Sequence, residues 1–185
     1  MVTGAAAAGA RELAACVEAV SEAQADALLE EIAAARAVFV VGAGRSLLML
    51  RCLAMRLMHL GLTAYVVGDT TTPAFGPGDL LVCASGSGTT GSVLRVAERA
   101  HELGGRVAAF TIEATSPLGA LADAVVEVPA FTDKRAVAGS ELPTLPGGSL
   151  FEQAVLLLGD ALVAPLGVRT GVACDHAFAL HANLE

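Results

Sequence analysis

The chain has 185 residues, 55% hydrophobic and 16% charged, with 11 basic against 19 acidic side chains, a net charge of -8 and a pI near 4.9. That length suits one compact domain able to bury a core without disulfides or a structural metal. The acidic balance argues against nucleic-acid or anionic-membrane partners, which need a basic footprint, and the single lysine, Lys134, lies in a polar Pro/Gly-flanked stretch unsuited to Schiff-base chemistry.

The opening MVTGAAAAGARE has neither a basic n-region nor a long apolar h-region, and residues 4–10 are Ala-rich and expected to fray. From Arg11 to Arg36, Leu13, Cys16, Val17, Val20, Ala27, Leu28 and Ile32 recur at helical spacing. An apolar run, Val38–Val41, then ends in Gly42-Ala43-Gly44, and a helical stretch from Ser46 to Leu60 stops at Gly61. Further strands are expected at Ala64–Val67, Leu80–Ala84, Arg106–Ile112 and Ala124–Val128. Between them lie a helix from Ser92 to Leu103 and a short helical piece after Ser116-Pro117.

A Pro/Gly-containing stretch from Pro129 to Gly148 leads into a last helix, Ser149–Val163. Ser149 is placed at its N-cap with Glu152 three residues on, the spacing of a capping box. The most apolar segment, Ala154–Val168, is interrupted by Asp160 and Pro165, so no membrane span is expected. Cysteines 16, 52, 83 and 174 show no CxxC spacing and read as thiols of a reducing compartment, at least the first three as small core residues. The strand–helix alternation implies one α/β domain over 1–185: a three-layer α-β-α sandwich on a five-stranded parallel sheet of flavodoxin-like order 2-1-3-4-5. It has a helical segment at 1–36 and a tail at 169–185 whose conformation is left open.

In such a sheet ligands bind at the carboxyl ends of the strands flanking the switch point, here strands one and three. The loops leaving those ends are Gly42-Ala43-Gly44-Arg45-Ser46 and Ser85-Gly86-Ser87-Gly88-Thr89-Thr90-Gly91-Ser92. In the second, hydroxyl residues alternate with glycines directly before a helix, so backbone N–H groups, Ser/Thr hydroxyls and the helix dipole can converge on a phosphate without lysine. An ordinary capped Ser/Gly turn has the same composition. The first loop also matches most of a dinucleotide fingerprint, with Asp69 as its ribose acid. Leu47 stands where the third glycine belongs, however, and SGSGTT is left without a role.

GAGRS, AMRLMHLGL, YVVGDTTTP, GDLL, SGSGTT, SPLGALADAVVEVPA, GSLFEQ and the terminal HANLE together resemble the 6-phospho-3-hexuloisomerases, SIS (sugar isomerase) domain enzymes of the ribulose monophosphate pathway of formaldehyde assimilation. The resemblance runs over about 38–185. It implies the SIS fold, interconversion of D-arabino-3-hexulose 6-phosphate and fructose 6-phosphate, no metal or organic cofactor and a tetramer, while the reduced thiols and the opening sequence point to a cytoplasmic location. It assigns phosphate binding to Ser46, Ser85, Ser87 and Thr90, with Gly44, Gly86 and Thr89 in the same loops, and the catalytic carboxylate to Glu152. Two departures, Leu47 where Gly is frequent and Gly147 where Met is common, are expected to narrow the pocket and loosen the loop before Glu152.

Arg45, at the mouth of the first loop, is the expected clamp on phosphate or a substrate oxygen. His59 ends the helix that starts there and reads equally as a partner of the helix dipole or a proton shuttle at oxygen. His181 opens the HANLE tail, expected to cross to a neighbouring subunit and help close its site. His101 reads as a solvated helix residue and His176 as ambiguous. A sugar-phosphate-binding regulator and an arabinose 5-phosphate type isomerase remain alternatives. Glu152 is the residue a mere sensor would not need.

Overall fold

The computed structural model describes residues 1–131, 144–171 and 180–181. Five strands, β1 (Ala37–Gly42), β2 (Ala64–Val66), β3 (Asp79–Ala84), β4 (Arg106–Thr111) and β5 (Ala124–Glu127), form one all-parallel sheet of order β2-β1-β3-β4-β5. The expected order therefore holds, and β1 and β3 are neighbours with opposite-direction crossovers on either side. Their near-continuous apolar runs suit strands covered on both faces.

Side chains alternate between two cores, as a period of two requires. Val38, Val40, Leu80, Val82 and Phe110 face α1 (Val2–Glu18), α2 (Glu22–Ala34), α3 (Arg45–His59), α6 (Ser149–Ala161) and α7 (Val163–Thr170). Phe39, Val41, Leu81, Cys83 and Val107 face α4 (Gly91–Glu102) and α5 (Pro117–Leu121). Burial raises the Cys16 thiol to about 11 and the Cys83 thiol to about 12, so both behave as packing groups rather than nucleophiles.

Three boundaries differ from the sequence reading. The N-terminal segment is two helices broken at residues 19–21, where Ser21 takes an extended N-cap conformation before α2. Residues 4–10, expected to fray, belong to α1, and a Cβ on Gly9 would lie 2.7 Å from Leu145 Cδ1, so glycine allows that close approach. The last helix divides at Leu162 into α6 and α7, with Pro165 inside the first turn of α7, where a missing N–H is tolerated. Ser149–Arg169 spans 21 residues with mean hydropathy 1.5, apolar enough by length and composition to cross a membrane. Yet Phe151, Ala154, Val155, Leu162 and Leu166 of this stretch are buried in the core.

Candidate active site

Both expected loops leave the carboxyl ends of adjacent strands and reach one cleft of about 290 Å³, lined by Ala43, Ser46, Ala84, Ser85, Gly86, Ser87, Thr90, Gly148, Phe151 and Glu152. The start of α6 thus completes a pocket whose other walls come from the loops after β1 and β3. Gly42 allows the first loop to turn tightly, since a Cβ there would lie 2.9 Å from Leu47 N. Gly44 is the N-cap of α3 at φ 58° and ψ -133°, a region nearly closed to other residues. Leu47 is not among the cleft-lining residues.

The second loop is tied together by its own hydroxyls. Ser85 Oγ and Thr90 Oγ1 are 2.9 Å apart, and Thr89 Oγ1 donates to Ser87 Oγ over 3.0 Å. Thr89 is therefore exposed and supports Ser87, while Ser87 and Ser85 are buried against the cleft.

Glu152 enters the cleft because the chain turns sharply into α6. Gly147 sits at φ 66°, where glycine is favoured, so its departure from the resembled pattern suits the turn. The capping box expected from Ser149 and Glu152 is not formed. Gly148 is the N-cap; Ser149 is the first helical residue, and its hydroxyl donates to Pro146 O over 2.8 Å and accepts from Arg45 Nη1 over 3.4 Å. Freed from capping, Glu152 has a side chain only 14% exposed, with Oε2 2.8 Å from Arg45 Nε. That contact is an ion pair without an aligned hydrogen bond, because among the described residues the buried Oε2 has no hydrogen-bond donor. A carboxylate held by charge alone, with a lone pair uncommitted, is chemically available to take up a proton.

The structure does not bring His59 or His181 to this cleft within one chain. His59 lies at the opposite end of α3, about 20 Å from Arg45 at 1.5 Å rise per residue. There its ring, 4% exposed, stacks on His181 with centroids 4.0 Å apart and planes at 19°. Burial first, then the neighbouring His181 and Arg56, push the His59 pKa below its ordinary value, so it is neutral at pH 7.

Other expectations resolve as structural contacts. Asp69 pairs with Arg51 at 2.7 Å, and Arg56 with Asp160 at 3.1 Å, which leaves the dinucleotide reading without its acid. His101 is half-buried rather than free in solvent: its Nε2 lies 2.7 Å from Leu121 O and ties α4 to the end of α5. Lys134, Cys174 and His176 lie outside the described residues. Sequence reasoning missed Phe151 and Gly148 as walls of the cleft, although both flank Glu152 in GSLFEQ, and missed Ser149 as a partner of Arg45.

The SIS domain matches residues 31–140. A 3-hexulose-6-phosphate isomerase of Mycobacterium gastri is 52% identical over 148 residues, 80% of this chain and 73% of that protein. One from Bacillus subtilis (strain 168) is 42% identical over 166 residues, 90% of this chain and 89% of that protein. A hypothetical protein from Methanococcus jannaschii, whose crystal structure is described as inferring the function of a 3-hexulose-6-phosphate isomerase, superposes with TM-score 0.77 at 35% identity, covering 89% of this chain and 87% of that one.

Proposed function

Because the chain belongs to the SIS domain family, we infer from its cleft and its relatives that it is a sugar-phosphate isomerase that interconverts D-arabino-3-hexulose 6-phosphate and D-fructose 6-phosphate. The observation that carries this reading is the convergence of Ser46, Ser85, Ser87, Thr90 and Glu152 on one pocket. The hydroxyl loop and the start of α4 take the phosphate, which places the carbon skeleton toward α6.

Moving the carbonyl from C3 to C2 needs a proton taken from C2 and returned to C3 through a cis-enediol. Glu152 removes the C2 proton as the C3 carbonyl oxygen gains one. The same carboxyl delivers a proton to C3 while the C2 hydroxyl loses its own, so protons and electrons balance without an external reductant. Arg45 stands beside Glu152 and, with a planar cationic fork, polarises the oxygens on which charge develops.

The active protein is a homo-oligomer, a tetramer by the resemblance, acting in the cytoplasm. In support, Leu48, Met55 and Met58 are 54%, 44% and 41% exposed along α3, with Leu157 of the adjacent α6 at 44%, an apolar stripe that a second subunit would cover. His59 and His181, remote from their own cleft, act on substrate only if that assembly carries them to a neighbour's. Supplying the 3-hexulose 6-phosphate and coupling fructose 6-phosphate formation to a reporter, with arabinose 5-phosphate as control, tests the substrate assignment. Turnover of the control alone overturns it.

A further inference from the structure

The hydroxyl loop is not self-supporting. Two of its carbonyls are taken from beneath by the stretch that runs from the end of β4 into α5: Ile112 N–H donates to Gly86 O over 3.0 Å and Leu118 N–H to Gly88 O over 3.0 Å. In a trans peptide the carbonyl and the following N–H point in opposite directions. Anchoring Gly86 O below therefore turns the N–H of Ser87 away from β4, toward the open side where the phosphate is placed, while anchoring Gly88 O turns the Thr89 N–H to Ser87 Oγ, to which it donates over 3.3 Å.

Two buried hydroxyls complete this shelf. Thr111, fully buried, lies with Oγ1 3.4 Å from Gly86 O and 3.5 Å from Ser116 Oγ, and it accepts from Glu113 N–H over 3.4 Å. Ser116, 1% exposed, accepts from Gly119 N–H over 3.2 Å; with the Thr111 proton given to Gly86 O, Ser116 Oγ is left as the donor to Thr111. A single polarity runs through these contacts, Ser116 O–H to Thr111 O–H to Gly86 O. Each is long, and the shelf depends on their number rather than on one strong bond. Steric closeness fixes the height: a Cβ on Gly88, at φ 60°, would lie 2.0 Å from Ser116 Oγ.

We propose that Thr111 and Ser116 are positioning residues for the substrate phosphate: they touch no substrate, but hold the 85–90 turn so that the Ser87 amide and the Ser85, Ser87 and Thr90 hydroxyls face the anion. This rests on the function proposed above only in taking that loop as the phosphate site. The class of ligand concerned is a phosphate monoester, and the consequence is on binding rather than on the proton transfer at Glu152.

The test uses Thr111→Val, Ser116→Ala and the conservative Thr111→Ser in the assembled protein. Inorganic phosphate binding is read by calorimetry, with KM and kcat for the sugar phosphate alongside. Losing one such buried hydrogen bond is expected to raise the phosphate Kd and the KM together by about three- to tenfold. Thr111→Ser returns both, and kcat stays within about twofold because the carboxylate is untouched. Unchanged phosphate binding in Thr111→Val and Ser116→Ala, or a fall in kcat at constant KM, overturns the proposal. So does a wild-type protein that binds no phosphate. Phosphate binding that is weakened in the variants of a protein without hexulose isomerase activity upholds the shelf and removes the substrate assignment instead. Should Thr111→Val not fold, Ser116→Ala carries the same reading.

Discussion

Arg45 Nε and Glu152 Oε2 lie 2.8 Å apart across the mouth of the cleft, one from the first residue of α3 and the other from the first turn of α6. The pair joins the two helices that start at the same edge of the sheet, and it holds the carboxylate beside a cation without tying up its lone pairs in aligned hydrogen bonds. Substrate phosphate and the enediol oxygens are the natural competitors for that guanidinium.

Glu152→Gln keeps the shape and removes the base. Turnover is expected to fall by about a hundred- to ten-thousandfold, the usual contribution of a positioned general base, with substrate affinity nearly retained. Steady-state kinetics together with calorimetric binding of fructose 6-phosphate check this. A purified variant turning over at close to the wild-type rate takes Glu152 out of the mechanism.

Arg45→Lys keeps the charge but loses the planar fork that spans Glu152 and Ser149. A loss of about ten- to a hundredfold in kcat/KM is expected for Arg45→Gln, corresponding to a charge-assisted hydrogen bond, with Arg45→Lys recovering only part of it. Full recovery by lysine would mean that a point charge is all this position supplies.

Two glycines of the first loop separate strain from collision. Gly44→Ala meets nothing within 4 Å but forces a side chain onto φ 58°, expected to cost about 1–3 kcal/mol in urea denaturation. Gly42→Ala drives its Cβ to 2.9 Å from the backbone of Leu47, so the start of α3 must shift and Ser46 with it. KM should therefore rise more in Gly42→Ala than in Gly44→Ala. Equal KM values would detach Ser46 from phosphate binding.

The exposed apolar stripe on α3 yields a further test. Leu48→Glu with Met55→Glu places charge on a face that an oligomer would bury, and light scattering should then report smaller species than wild type. An unchanged mass moves the subunit contact elsewhere.

The sheet was legible because strands covered on both faces must be apolar throughout, and VFVV and LLVCA can be little else. The two loops were legible because glycine and hydroxyl residues before a helix are chemically unusual. Ser149 and Glu152 were misread at one level: the spacing of a capping box is the same whether serine precedes the helix or begins it. Only the Gly147-Gly148 turn decides which, by putting Gly148 at the N-cap and turning the serine hydroxyl to Pro146. The His59–His181 stack joins residues far apart in the chain, and no local pattern encodes such a contact.

That stack has a definite pH signature. His59 is buried with its pKa lowered, first by burial and then by His181 and Arg56, so the folded state takes up a proton there less readily than the unfolded chain. Its contribution to stability is fully present above pH 6.5, the ordinary histidine value, and is lost as the pH falls through that point toward the lower folded value. Melting temperatures from pH 8 to pH 5 should therefore drop less steeply in His59→Gln than in wild type, since carboxylates elsewhere titrate alike in both proteins. His181→Ala removes one of the causes and uncovers the ring, so its slope should fall between the two. Identical slopes in all three proteins would mean that the His59 ring is as free to take a proton in the fold as in water.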